Sequence, residues 1–148
     1  MDILLVEDNP SDAELTLLAL RKAMSEIKVH LAEDGVAAQT VLNEMEQQFL
    51  AGDFLALPKL ILLDIKLPKV DGLDVLRSIK CRQTMQSVPV VMFTSSREER
   101  DVLQAYALGV NSYIVKPVNF NELKAVLSII ANYWLLYNIR PINQNKTI

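Results

Sequence analysis

The sequence predicts a doubly wound α/β domain built on a five-stranded parallel sheet. Three observations carry this. Short apolar runs recur along the chain without the alternation of a half-exposed strand. Each run is followed by a segment with helical periodicity. Polar residues come directly after four of the runs, which places them at one edge of the sheet.

The strong runs are Ile3–Val6, Leu60–Leu63, Val88–Phe93 and Tyr113–Val115, with Ile27–Leu31 as a weaker strand. The first helix is expected from a capping box, Ser11-Asp12-Ala13-Glu14, with Leu15, Leu18 and Ala19 recurring at helical spacing. The second spans Val36–Leu50, with Val41, Leu42, Met45 and Phe49 facing inward. Gly72 opens the third, through Val75, Leu76 and Ile79. The fourth covers Glu98–Leu108, with Gly109 suited to the residue past its end. Asn119-Phe120-Asn121-Glu122 starts the fifth. Parallel neighbours need such crossovers, which are right-handed almost without exception. Ligands of such sheets sit beyond the carboxyl ends of the strands, at a topological switch point.

The chain of 148 residues suits one domain, expected over residues 1–137 with a C-terminal extension at 138–148. A formal net charge of −3 argues against a broad basic surface for nucleic acid. One cysteine, Cys81, allows no internal disulfide, and with one histidine, His30, it makes a zinc site implausible. Any metal is therefore a hard cation held by oxygen. The N-terminus lacks the form of a signal peptide, and no apolar run is long enough to cross a bilayer. A soluble, cytoplasmic protein without a membrane partner is expected.

Glu7 and Asp8 follow the first strand, Asp64 the third, Thr94, Ser95 and Ser96 the fourth, and Lys116 and Pro117 the fifth. Each alone has an ordinary reading as a loop or turn residue, and acids before a helix are favoured by its dipole. Together they gather three carboxylates, a lysine and a hydroxyl at one edge. Crowded carboxylates repel, and a divalent cation such as Mg²⁺ removes the conflict. That set suits phosphoryl transfer to a carboxylate, with the metal and lysine neutralising the transferred oxygens.

These motifs resemble the receiver domain of two-component response regulators over roughly residues 2–130. "LLVEDN" carries the acidic pair, "LILLDIKLPKVDG" the phosphoacceptor, "VPVVMFTSS" the hydroxyl and "YIVKP" the lysine. The resemblance implies the flavodoxin-like receiver fold of single-domain, chemotaxis-type regulators. It implies that Asp64 accepts phosphate from a histidine kinase. Glu7, Asp8 and Asp64 would hold Mg²⁺ or Mn²⁺, with the backbone carbonyl of Lys66 as a further ligand. Thr94 and Lys116 would contact the phosphoryl group, and Tyr113 matches an aromatic switch position coupled to Thr94. The Lys116–Pro117 bond is expected to be cis. Lys66 and Ser96 occupy positions that tune phosphate lifetime; the Lys66 side chain either adds a cation near the phosphate or is simply solvated.

Fewer than twenty residues follow the fifth helix, so no output domain and no DNA-binding activity are expected. The long segment Ala51–Pro58 and the ending Tyr133-Trp134-Leu135-Leu136-Tyr137 resemble the phytochrome-associated response regulators. That narrower resemblance implies a bilin-binding histidine kinase, a bacterial phytochrome, as partner. It also implies a dimer through the last strand–helix face and the C-terminal extension. The sequence pattern agrees: Leu123, Val126, Leu127, Ile130, Trp134 and Tyr137 form one stripe, while Ile129, Tyr133 and Leu136 lie off it. A second apolar face predicts a homodimer, with Ile129, Tyr133, Trp134, Leu136 and Tyr137 as its surface; the alternative is that the tail folds back over it.

Two rival functions remain open on sequence. One is a receiver-fold interaction module that is never phosphorylated. The other is a metal-dependent phosphohydrolase, which needs a second carboxylate two residues after the nucleophile, where Lys66 stands. The favoured reading is a phosphoacceptor and no enzyme, beyond self-catalysed phosphotransfer and dephosphorylation.

Overall fold

A computed structural model describes residues 1–141. Five strands form one parallel sheet: β1 (Ile3–Val6), β2 (Val29–Ala32), β3 (Leu60–Leu63), β4 (Val90–Thr94) and β5 (Ser112–Val115). Their order is β2-β1-β3-β4-β5, so the chain reverses direction across the sheet between β1 and β3. The helices are α1 (Pro10–Ala23), α2 (Gly35–Leu50), α3 (Gly72–Cys81), α4 (Glu99–Ala107) and α5 (Phe120–Ala131). The expected doubly wound fold is therefore present.

The apolar runs feed two cores. Successive side chains of a strand point to opposite faces. Ile3, Leu5, Leu60 and Leu62 pack with Leu20, Leu123, Leu127 and Ile130 under α1 and α5. Leu4, Val6, Ile61 and Leu63 pack with Leu42, Met45, Leu76 and Ile79 under α2 and α3. Both faces are covered, which is why these strands read as continuous apolar runs.

Several boundaries differ from expectation. β2 is an edge strand paired only with β1, and its exposure explains its weaker signal. β4 starts after Pro89 and runs to Thr94, which is itself in the strand and 1% exposed. The capping box at Ser11 does not form. Pro10 takes the first helical turn, where its missing N–H costs nothing, and Asn9 caps the helix by accepting from the Asp12 amide at 3.0 Å. Leu15 and Leu18 are exposed; the inner face of α1 is Ala13, Thr16, Ala19 and Leu20. Small residues there let α1 lie against α5.

The last helix holds a larger correction. α5 continues as a π-helical turn over Asn132–Tyr137, closed by the Asn138 amide donating to the Tyr133 carbonyl at 2.7 Å. The wider turn changes which residues face the core. Trp134 and Leu135 pack inward, whereas Tyr137 is 77% exposed and leaves the expected covering stripe. All peptide bonds of the described residues are trans, so the expected cis bond at Lys116–Pro117 is not found. Of the C-terminal extension, residues 142–148 lie outside the described residues.

Two glycines fit their positions by necessity. Gly109 has φ +92°, the left-handed conformation that ends α4 as expected. Gly72 lies against the backbone that follows β3. A Cβ at Gly72 would stand 1.9 Å from the Asp64 carbonyl oxygen and 2.7 Å from the Ile65 Cα. Gly72→Ala should therefore lower the unfolding free energy by about 1–3 kcal/mol, as overpacking does. Urea titration checks this; an unchanged midpoint would contradict the close approach.

Candidate functional site

The register of the sheet brings the strand ends level. Val6 pairs with Leu63, Leu63 with Met92, and Thr94 with Val115. Glu7, Asp64, Thr94 and Lys116 are thus delivered to one edge by β1, β3, β4 and β5. They line a cleft of about 480 Å³ with Asp8, Asn9, Asp12, Lys66, Ser95, Ser96, Arg97 and Glu98. A larger groove of about 660 Å³ lies elsewhere, between Phe49, Phe54, Pro89 and Arg140, and no acidic side chain lines it. Volume alone does not locate the chemistry here.

Carboxylate oxygens of Glu7, Asp8 and Asp64 lie within 4.8 Å of one another. Glu7 is buried, Asp8 is exposed, and Asp64 is 8% exposed. One Asp64 oxygen accepts from the Ile65 amide at 2.7 Å, and the other from Lys116 Nζ at 2.9 Å. Lys116 Nζ also donates to Glu7 and, at 3.2 Å, to Asp12. Glu7 accepts from the Asn9 amide at 3.0 Å through its other oxygen.

The electrostatics follow from burial. Burial pushes the Glu7 carboxyl above its ordinary value, and the Asp64 charge adds to this; Lys116 opposes it without cancelling it. Burial pulls the Lys116 ammonium down, but hydrogen bonds to Glu7 and Asp64 outweigh it and hold the pKa well above the ordinary value. The lysine stays charged throughout the neutral range. Glu7, Asp12 and Asp64 share that single ammonium, and Asp8 has no part of it, so negative charge remains to be neutralised. Three hard oxygen donors this close suit a small divalent cation.

Every predicted pocket residue reaches the cleft. Thr94 Oγ1 accepts from the Ser96 amide at 3.3 Å, and the Thr94 carbonyl accepts from the Lys116 amide at 2.8 Å. Lys66 is exposed on the rim, in a loop secured at one end by Gly72. Within the same loop Lys69 adopts φ +69°, rare for a residue with a side chain, and pairs with Asp34 at 3.0 Å. Tyr113 is half-buried and its hydroxyl donates to the Ser96 carbonyl at 2.9 Å. Ile129, Tyr133, Leu136 and Tyr137 are exposed on α5 and its π-helical turn, and none of them lines the cleft. Trp134 leans into the core and meets the Tyr133 ring edge-on, with centroids 4.8 Å apart.

Sequence reasoning missed two residues. Asp12, read as part of a capping box, is a third partner of Lys116. Asp101 of α4 is 6% exposed and accepts from the Ser96 hydroxyl at 2.5 Å. Asp101 stands beside Glu98 and Glu99 at the start of the helix, and nothing in the sequence marks which acid turns inward.

Fold and cleft together define a doubly wound α/β module with an acidic pocket at its switch point. The chain belongs to the response regulator receiver domain family, whose model matches residues 3–128. It is 40% identical over 139 residues to the probable methanogenesis regulatory protein FilR2 of Methanothrix harundinacea, covering 94% of this chain and 86% of that protein. Response regulator Rcp1 of Synechocystis sp. is 36% identical over 133 residues, covering 90% and 88%. The crystal structure of the phosphorylated cyanobacterial phytochrome response regulator RcpA superposes with a TM-score of 0.83 at 37% identity, covering 95% of this chain and 97% of that one. The Mn²⁺-bound form of Rcp1 superposes with a TM-score of 0.76 at 38% identity, covering 94% and 97%. The chain's homologues thus include phytochrome-associated response regulators. No helix among the described residues is long and apolar enough to cross a membrane.

Lys116→Met should destabilise the fold by about 3 kcal/mol at neutral pH, because it strands buried carboxylates without their cation. Glu7, with its raised pKa, takes up a proton as the pH falls, and the ionised form is the costly one. The penalty should therefore shrink toward acid pH. Chemical denaturation of both proteins across a pH series measures it; a pH-independent difference would contradict the ion cluster.

Proposed function

We propose that this chain is the phosphoacceptor response regulator of a two-component system, taking a phosphoryl group from a histidine kinase onto Asp64. One observation carries the reading: the Asp64 carboxylate is aimed into the cleft by the Ile65 amide and Lys116, beside Glu7 and Asp8. An Asp64 oxygen attacks phosphorus, the bond to the kinase's imidazole nitrogen breaks, and an acyl phosphate forms. Lys116 already lies on Asp64 and can follow the transferred oxygens. The Thr94 hydroxyl, whose oxygen accepts from the Ser96 amide, has its hydrogen free to donate to a phosphoryl oxygen. The absence of a carboxylate at Lys66 disfavours a phosphohydrolase.

Mg²⁺ or Mn²⁺ is the cofactor of this reading, held by Glu7, Asp8, Asp64 and the Lys66 carbonyl. The ion neutralises charge on the transferred group. The Mn²⁺-bound form of Rcp1 supports the choice. The kinase is proposed to be a bacterial phytochrome, since RcpA is described as a cyanobacterial phytochrome response regulator. The protein acts in the cytoplasm, with neither nucleic acid nor membrane as a partner. Its chemistry is limited to its own phosphorylation and dephosphorylation.

The signal leaves through a surface. Phosphorylation adds charge of about −2 and strong acceptor oxygens at Asp64. Thr94 moves toward them, Tyr113 responds, and the face of α4, β5 and α5 changes. Ile129, Tyr133, Leu136 and Tyr137, exposed at 68%, 52%, 66% and 77%, offer that face to a second copy, with Trp134 behind them. Phosphorylation and dimerisation are then coupled, and reciprocally.

Incubation with acetyl phosphate and Mg²⁺ should give an adduct of one phosphoryl group by intact mass. Asp64→Asn and removal of the metal should each abolish it. No adduct would favour the interaction module, and sustained turnover of phosphate esters would favour a hydrolase. Separately, light scattering at tens of micromolar (roughly, the range in which weak symmetric dimers populate) should show a dimer tightened by phosphate. Leu136→Glu should give a monomer that is still phosphorylated. A wild-type monomer under both conditions would refute the dimer.

A further inference from the structure

The β4–α4 loop carries a group of contacts that the pocket chemistry does not use. Helix α4 is lightly held. Its only buried residues are Ala105 and Asp101, and its N-cap Glu98 makes no side-chain capping bond. Leu103 and Tyr106 face outward. What anchors the first turn is Ser96, two residues before the cap. Its hydroxyl donates to Asp101 Oδ2 at 2.5 Å and accepts from the Glu98 amide at 3.3 Å.

Asp101 makes no ion pair among the described residues, and its one side-chain bond is to Ser96. A carboxylate buried to this degree needs a strong donor, and a hydroxyl at this separation is a charge-assisted hydrogen bond. The backbone of the same serine faces the switch residues. Its amide donates to Thr94 Oγ1 at 3.3 Å, and its carbonyl accepts from Tyr113 at 2.9 Å. Ser96 therefore touches the phosphate-binding hydroxyl, the aromatic switch and α4 at once.

We propose that Asp101 is a positioning residue for the switch: by holding the Ser96 hydroxyl it fixes the β4–α4 loop so that the Ser96 carbonyl receives Tyr113 and the Ser96 amide tethers Thr94 Oγ1 in the unphosphorylated chain. This rests on the phosphoacceptor reading for its consequence, though not for its geometry. When Thr94 is drawn toward phosphate, the Ser96 amide loses its partner. The Asp101 bond then keeps the loop and the first turn of α4 moving as one unit. Without it, Thr94 and α4 are uncoupled. The Tyr113 phenol carries a trace of the same proximity: burial raises its pKa, the Ser96 bond opposes this, and the Asp101 charge raises it further.

The test uses the full chain with Asp101→Ala, Asp101→Asn, Ser96→Ala, Ser96→Thr and the double Asp101→Ala/Ser96→Ala. Two readouts are taken. The first, in unphosphorylated protein, is hydrogen exchange of the α4 amides and the ring resonances of Tyr113. The second is the fold-change in dimer affinity on treatment with acetyl phosphate and Mg²⁺. Asp101→Ala and Ser96→Ala should each speed α4 exchange by about tenfold, the size expected for one hydrogen bond to a charged group. Each should expose Tyr113 and reduce the phosphate effect on the dimer. The double should fall well short of the sum of the singles, since each single already breaks the Ser96–Asp101 bond; Ser96→Ala in addition takes the acceptor from the Glu98 amide. Ser96→Thr keeps the hydroxyl and should rescue all three. Asp101→Asn keeps the volume and separates the bond's strength from packing, giving an intermediate effect. Additive effects, or unchanged α4 exchange and Tyr113 exposure in Asp101→Ala, would overturn the proposal. If the wild type takes no phosphate, the phosphoacceptor reading falls, while the first readout still decides the latch.

Discussion

Lys116 is the constraint on which the site rests. Its ammonium joins Glu7 from the end of β1, Asp12 from α1 and Asp64 from the end of β3. β5 and β1 are not neighbours in the sheet; β3 and β4 lie between them. The lysine therefore spans the switch point, and it can do so because the parallel register brings the strand ends level. Carboxylates so close together and so shielded from water repel strongly. Without a cation the edge of the sheet would have to splay or take up protons. In the proposed reading the lysine that balances these carboxylates is also the one that meets the phosphoryl charge, so little reorganisation would be needed.

The pocket was legible in the sequence because parallel sheets make it so. Each strand buried on both faces is a short apolar run, and the residue after it stands at the carboxyl edge. Glu7, Asp64, Thr94 and Lys116 could be placed without knowing the strand order. That order, β2-β1-β3-β4-β5, was not readable, since any right-handed doubly wound arrangement fits the same pattern. The inner face of α1 was not readable for a related reason. Leu15, Leu17, Leu18 and Leu20 surround that helix, so apolar periodicity cannot choose a face. Packing against α5 chose the small side, Ala13 and Thr16, and left Leu15 and Leu18 outside.

The C-terminal helix shows a different limit. Ideal 3.6-residue spacing put Tyr137 on the covering stripe. The π-helical turn at Asn132–Tyr137 adds residues per turn and moves Tyr137 to the surface while Trp134 turns inward. Its signal is a backbone hydrogen bond, which no side-chain pattern encodes. The effect on the proposed dimer is a sharper face. Ile129, Tyr133, Leu136 and Tyr137 are open, and Trp134 supports Tyr133 from behind instead of meeting the partner directly.

The two cores differ in how firmly they hold their helices, and this bears on where a signal can travel. α1 and α5 pack together under one face, with buried residues distributed along both. On the other face α4 contributes only Ala105 and a carboxylate to the interior. A helix held by so little apolar area opens at small cost. It also follows the strand that ends in Thr94, the hydroxyl proposed to meet the phosphoryl group. A tightly packed α4 would resist any movement of that loop, and an unanchored one would not transmit it. A single buried polar bond between Ser96 and Asp101 lies between those extremes. It is directional, so it links loop to helix, yet it adds little to the total that must be broken for the helix to shift. A helix that buries only Ala105 and Asp101 thus follows the strand that ends in the cleft, and in the proposed reading the polar Ser96–Asp101 bond is what keeps the two connected.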